Sequence, residues 1–428
     1  MRLLTLIIAS IIFFCSCQKD RDSVAPIITI LTPTDLSTFR VLDQVPIKAR
    51  IEDNENIKSI TVSLFNQSTR TQASGAVVVQ PNQSVYILDL SYTISDSLLS
   101  TGDYYFKITA NDGENEISAF KTIRVTGIPR RRLGVLASVD QSGTAVFKYI
   151  TDAGSVENLS LSSSPVYSIA IDSYFQNLWV VSNGSADLKR FELNEDRADN
   201  ISVGNPNQIS ELFTFLRIAF QTCYVSLKDG RLIGYNRNGG RSFSYNSNLN
   251  EYVNNFSISD NVILIGEVIA ASSNYRVRGV SRVAAAEYFS FSTNKEPVGF
   301  GFKDDNESYL FFNEGNSFKV SQLNPKTGFN SEVYQRSNIN LQEVIQMDTE
   351  NFILIADDQL LQFNYRTNFL DVIKFSSDPI FANYDDLNNQ IIIGTGNELS
   401  YFDINSRGFI RTEILPGQIS GLAIRFNK

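Results

Sequence analysis

From residue 26 to the end of the chain, apolar and polar positions alternate with a period of two rather than 3.6. Val, Ile, Phe, Tyr and Thr fill the apolar positions, and Gly, Asn and Asp punctuate the runs at short intervals. That pattern predicts β-strands joined by tight turns. No stretch sustains a helical apolar stripe over three turns, so the expected fold class is all-β. One segment departs from the alternation. Leu3 to Phe14 is a continuous apolar run of roughly a dozen residues, shorter than the ~20 that a membrane-spanning helix needs.

Residues 26–127 read as a sandwich of roughly seven strands. Ile47, Ala49 and Ile51 alternate inward on one strand, Ile60, Val62 and Leu64 on the next, and Tyr104, Phe106 and Ile108 on a later one. Tyr104, two positions before the buried Phe106, stands where immunoglobulin-like domains carry their tyrosine corner. Phe106 occupies the place of the antibody cysteine, and the buried tryptophan is missing. The segment resembles the disulfide-free bacterial Ig-like and fibronectin-like modules, and the resemblance implies a spacer. Asp53, Glu55 and Asp112 fall near strand ends, where carboxylates can hold calcium. Solvated turn carboxylates are the preferred explanation, and no metal is expected there. Gly127-Ile128-Pro129 followed by Arg130-Arg131-Arg132 breaks the pattern, and residues 128–132 are expected to form a short exposed linker.

Residues 133–428 hold an internal repeat. A fully apolar strand recurs at Leu178–Val181, Cys223–Val225, Val262–Ile265, Tyr309–Phe312, Phe352–Ile355 and Gln390–Ile393, at spacings of about 38 to 47 residues. A tight turn follows each, as at Asn183-Gly184, Asp229-Gly230, Asp357-Asp358 and Gly396-Asn397, and then a second strand such as Leu399–Ile404. Four short strands in forty-odd residues is the signature of a propeller blade, and the segment accommodates seven. The first unit supplies Leu133–Val139, Ala145–Ile150 and Val156–Leu161 but lacks an innermost strand. Ile419–Phe426 matches the innermost strand Val166–Asp172 of the next unit. The C-terminal strand is therefore expected to close the ring, which removes an exposed edge. The region resembles seven-bladed propellers of the YVTN and NHL-like kind and lacks the Gly-His and Trp-Asp marks of WD40 repeats.

The N-terminus changes the picture of where such a molecule works. Met1-Arg2 precedes the apolar run, and Phe14-Cys15-Ser16-Cys17 ends it with small residues before a cysteine. This resembles a bacterial lipoprotein signal, with residues 1–16 removed and Cys17 carrying the lipid. Gln18-Lys19-Asp20-Arg21-Asp22 resembles the tag that sends Bacteroidota lipoproteins to the outer face of the outer membrane. The resemblance implies a lipidated tether over residues 17–25, palmitate among its acyl chains, and a cell-surface ectodomain anchored to the outer membrane. One acyl chain holds a bilayer only marginally, at about 0.8 kcal/mol per buried methylene, whereas three hold it durably.

Composition narrows the chemistry. The chain has no histidine, which excludes Ser-His-Asp and Cys-His catalysis and every His-ligated metal site. Of the three cysteines, Cys15 and Cys17 belong to the signal and anchor, so Cys223 has no disulfide partner; its apolar surroundings predict a buried thiol. The formal charge of −9 is spread thinly, and the one basic cluster is the three arginines at 130–132. Nucleic acid is therefore not an expected partner.

Candidate binding residues lie on the propeller loops: Tyr167, Asp229, Tyr275, Glu314, Asp357 and Asp358. An enzyme would pair carboxylates there, as glycosidases do. Asp and Asn also occupy hairpins for turn chemistry alone, and Asp172, Asp260, Asp304, Asp348 and Asp385 recur once per repeat, which favours turns. No Walker A loop, sialidase box or His-Glu-x-x-His motif is present. The single tryptophan, Trp179, reads as core. The reading that results is a surface binding or scaffold protein without catalytic residues or cofactor, its propeller recognising a glycan, a peptide or an outer-membrane partner protein. A glycan-active hydrolase or lyase working in the propeller funnel, and a periplasm-facing envelope assembly factor, remain open alternatives.

Overall fold

Every regular element of the computed structural model is a β-strand, and it describes residues 22–182, 187–195, 197–204, 209, 211–270, 272–376 and 378–428. Cys17, the signal sequence before it and the Asn183-Gly184 turn lie outside the described residues. Among the described residues no helix is long and apolar enough to cross a membrane. The chain divides into two compact units, one up to Pro129 and one from Arg130 onward.

The first unit has eight strands where the sequence suggested roughly seven: β1 (Ile27–Thr32), β2 (Ser37–Arg40), β3 (Gln44–Ile57), β4 (Ser59–Asn66), β5 (Val77–Val79), β6 (Gln83–Thr93), β7 (Gly102–Asn111) and β8 (Glu116–Thr126). They form a three-stranded sheet, β1-β3-β6, and a five-stranded sheet, β2-β8-β7-β4-β5. The short β2 and β5 are the sheet edges, too brief to show an alternation in sequence. Ile47, Ala49 and Ile51 from one sheet and Ile60, Val62, Leu64, Phe106 and Ile108 from the other share one core. Each of these side chains larger than alanine contributes roughly 1.5–3 kcal/mol by leaving water. Tyr104 is 1% exposed, and its hydroxyl donates to the Ser100 carbonyl at 3.0 Å.

The second unit is a β-propeller. Among the described residues it holds seven four-stranded sheets, six of them antiparallel meanders of strands consecutive in sequence. The exception is the first, where Gln418–Phe426 lies beside Arg132–Gln141, with Leu422 opposite Ala137 and Ile424 opposite Val135. That is the strand the first repeat lacks. Arg132, placed in the linker by sequence, is in fact the first residue of that sheet. It belongs there because its guanidinium is nearly buried and bonds Asp385, Asp152 and Gln390, so it is not an exposed connector residue. The recurrent second strands are the apolar heart of each sheet: Asn177–Ser182 is buried at every position, and Trp179 is 1% exposed. Cys223 is buried as well, and burial pushes its thiol well above its ordinary pKa. The once-per-repeat aspartates cap the first turn of their sheets: Asp172, Asp304, Asp348 and Asp385 each accept two backbone N–H groups from the turn that follows. Asp260 is the exception; its carbonyl oxygen accepts from Arg282.

Candidate ligand-binding channel

The innermost strands of the seven sheets face one another around a central cavity of about 470 Å³, to which all seven contribute wall residues. A second cavity of about 400 Å³ lies at the end where those strands begin, and the two share Tyr167, Ser168, Phe215, Leu216, Glu343 and Phe381. Adjacent inner strands do not pair as a sheet, so side chains bridge them. The Tyr167 hydroxyl donates to the Thr214 carbonyl at 2.8 Å, and Thr214 Oγ1 donates to the Val253 carbonyl at 2.5 Å. Ser257 Oγ donates to the Phe300 carbonyl at 3.0 Å, and the Gln346 amide both donates to and accepts from the Phe302 backbone. Asn383 Nδ2 donates to the Leu422 carbonyl at 2.8 Å. These bonds satisfy backbone groups that would otherwise be left unpaired.

Two charges stand in this wall. Arg217 lies on the Phe213–Ala219 strand, and its Nη1 donates to Ser257 Oγ at 2.7 Å. Glu343 lies on Leu341–Gln346. Both are closely surrounded by protein atoms, yet the channel lets solvent reach them. Burial lowers the Arg217 pKa, and the nearby Glu343 charge partly offsets this. Burial raises the Glu343 carboxyl, and Arg217 pulls it back. The groups sense each other without forming an ion pair, and Glu343 has no hydrogen-bond partner among the described residues. Tyr167 is raised by burial and by Glu343. A second carboxylate, Glu296, lines the outer cavity.

Of the residues singled out from sequence, Tyr167 alone lines the channel. Asp229 is tied within its turn to Arg231, whose Nε donates to it at 2.8 Å, while Arg231 also holds the carbonyls of Val203 and Gly204. Tyr275 begins the third strand of its sheet, opposite Val268 and Thr293. Glu314 bonds Lys319 at 2.7 Å in a cluster that includes Lys295 and Glu332. Asp357 accepts from Gln342 at 3.1 Å, close to the channel mouth, and the Asp358 carbonyl accepts from the Ser376 N–H. The loop residues therefore do not converge on one site. Arg217 and Glu343 escaped notice in the sequence. Their signal was a lone charge inside an otherwise uncharged inner strand, Phe-Thr-Phe-Leu-Arg-Ile-Ala and Leu-Gln-Glu-Val-Ile-Gln.

In the first unit, the carboxylates of Asp22, Asp53 and Asp112 come within 4.8 Å of one another. Glu55, grouped with the last two by sequence, is exposed and contributes only its N–H to Asp53; Asp22 takes its place. Asp112 is held by the N–H groups of Glu114 and Asn115, both at 2.6 Å.

No protein-family model matches the chain, and no curated protein matches it. Among solved structures, a protein from Lactobacillus plantarum aligns with a TM-score of 0.50 at 11% identity, over 70% of this chain and 100% of that one. The computationally designed Ika8 protein aligns with a TM-score of 0.46 at 12% identity, over 69% and 91%. The WD40 β-propeller domain of Doa1 aligns with a TM-score of 0.45 at 10% identity, over 68% and 89%. At such identities the likeness is one of fold alone.

Proposed function

We propose that the protein is a non-enzymatic, lipid-anchored binding protein of the outer-membrane surface. In this reading Cys17 carries the anchor, residues 26–127 are an Ig-like spacer, and the seven-bladed propeller seats a small polar ligand or the end of a glycan or peptide in its channel. The observation that carries the proposal is the pair Arg217 and Glu343. Holding a charge among protein atoms without an ion-pair partner is costly; Arg217 makes one bond, to Ser257, and Glu343 makes none among the described residues. The tyrosine-corner bond of Tyr104 and the eight-strand, two-sheet order favour the Ig-like reading. Gln18 to Asp22 directly after Cys17 favours the outer face of the membrane.

Labelling cells with palmitate tests the anchor: the wild type takes up label, and Cys17→Ser abolishes it. Protease shaving of intact cells tests the face, since a periplasm-facing protein would be spared. Calorimetry with a panel of glycans and short peptides tests the channel, with Arg217→Gln and Glu343→Gln expected to weaken binding at least tenfold. A second reading has its own support. Glu343 is a carboxyl raised by burial, beside Tyr167 and with Glu296 at the same mouth, as a general acid in a glycan hydrolase or lyase would require. Turnover of any glycan that Glu343→Gln abolishes would establish that reading in place of the first.

A further inference from the structure

We infer that the channel selects a zwitterion, the ammonium and carboxylate of a free amino acid or very short peptide, over a hydroxyl-rich sugar. This rests on the channel-binding reading above and narrows it. Sugars are recognised by many neutral donors and acceptors, and here most of those lining the channel are committed to neighbouring strands. Tyr167, Thr214, Ser257, Gln346 and Asn383 each spend a hydrogen bond on the backbone of the adjacent inner strand. The charged groups are not committed in that way. Arg217 uses one of its five N–H donors on Ser257, and Glu343 uses neither oxygen.

The two charges are opposite and share one cavity, so the site is neutral as a whole. A ligand carboxylate can take the free fork of the guanidinium in two parallel bonds, while a ligand ammonium donates to Glu343. A ligand carrying only one charge leaves the other protein charge desolvated and unmatched, which disfavours it. Phe215, Leu216, Ile345 and Phe381 provide apolar wall for a side chain. The volume of about 470 Å³ suits a molecule of amino-acid to dipeptide size.

The test is calorimetry on residues 18–428 with leucine, alanyl-leucine, alanyl-leucine acetylated at its amine, alanyl-leucine amidated at its carboxyl, cellobiose and glucuronic acid. Binding is expected for leucine or alanyl-leucine, with each cap, and each of Arg217→Gln and Glu343→Gln, weakening it at least tenfold. The capped ligands leave the protein unaltered, so the result stands even if a substitution disturbs folding. Capped and uncapped forms binding within twofold of each other, or no heat from either zwitterion, would overturn the inference. Binding of a sugar that Arg217→Gln abolishes would overturn it while leaving the channel reading intact. Heat that survives both substitutions would place binding outside the channel and overturn both.

Discussion

Asp53 keeps one carboxylate oxygen, Oδ1, out of reach of solvent and without a hydrogen-bond partner, and Asp22 does the same with Oδ2. Burial raises the Asp53 carboxyl, and repulsion from Asp112 and Asp22 adds to it despite the N–H of Glu55. A raised carboxyl stabilises the fold most below the unfolded pKa, and that contribution is lost as pH rises through the folded value. Asp112 runs the other way: burial opposes its charge, but the N–H groups of Asn115 and Glu114 prevail and lower it, so its contribution is lost as pH falls. Asp53→Asn should therefore raise the melting temperature at neutral pH, by about 2–4 °C for about 0.5 kcal/mol. The gain should vanish as the pH drops below the carboxylate range; thermal melts of residues 22–129 across pH check both halves. Buried charges with full partnerships behave differently. Glu267 is 0% exposed and accepts from Tyr245, Ser247 and Arg278, each at 2.7 Å. Glu267→Ala should cost about 3–5 kcal/mol, because it leaves Arg278 buried with less than its full set of acceptors. Denaturant melts will show whether the loss is that large; Asp89→Ala, at the exposed pair with Lys48, should cost under about 1 kcal/mol.

Elements differ in how openly the sequence announces them. The second strand of each sheet is covered on both faces, so runs such as Val262–Ile265 and Phe352–Ile355 stand out as continuous apolar stretches. The innermost strands border the channel along the free edge of each sheet, so Arg217, Glu343 and Asn383 interrupt them and blur the pattern. The outermost strands are largely exposed, as in Asn330–Ser337, and read as little more than polar segments. Turn aspartates were legible because a carboxylate that accepts the N–H groups two and three residues on caps the hairpin by local geometry alone. The channel charges were not, because Arg217 and Glu343 meet only when inner strands far apart in sequence are brought around a ring. Close approach of the closing strand places its own demand at Gly417. A Cβ there would stand 2.6 Å from the Asp140 carbonyl oxygen and 2.7 Å from Val139 Cγ1. Gly417→Ala should cost about 1–3 kcal/mol by forcing the two strands apart, a loss measurable by urea denaturation of the second unit.

At the scale of the whole propeller, stability depends on closing a ring. Each sheet buries its faces against its neighbours, so a gap anywhere exposes two apolar surfaces at once. Among the described residues, the first sheet alone is assembled from both ends of the unit. Val135, Ala137 and Val139 pack with Ile419, Leu422, Ile424 and Phe426 in a core that also takes in Ile392, Leu399 and Tyr401 of the last sheet. Ion pairs from Arg132 to Asp385 and from Arg130 to Asp386 fasten the same seam at one end. The most direct measurement is the cooperative melt of residues 130–428 with and without Gln418–Lys428, followed by addition of that segment as a free peptide. The ring predicts that the deletion abolishes the cooperative transition or lowers it sharply, and that the peptide restores it in a concentration-dependent way. A truncated chain that melts at the temperature of the intact one, and gains nothing from the peptide, would contradict it.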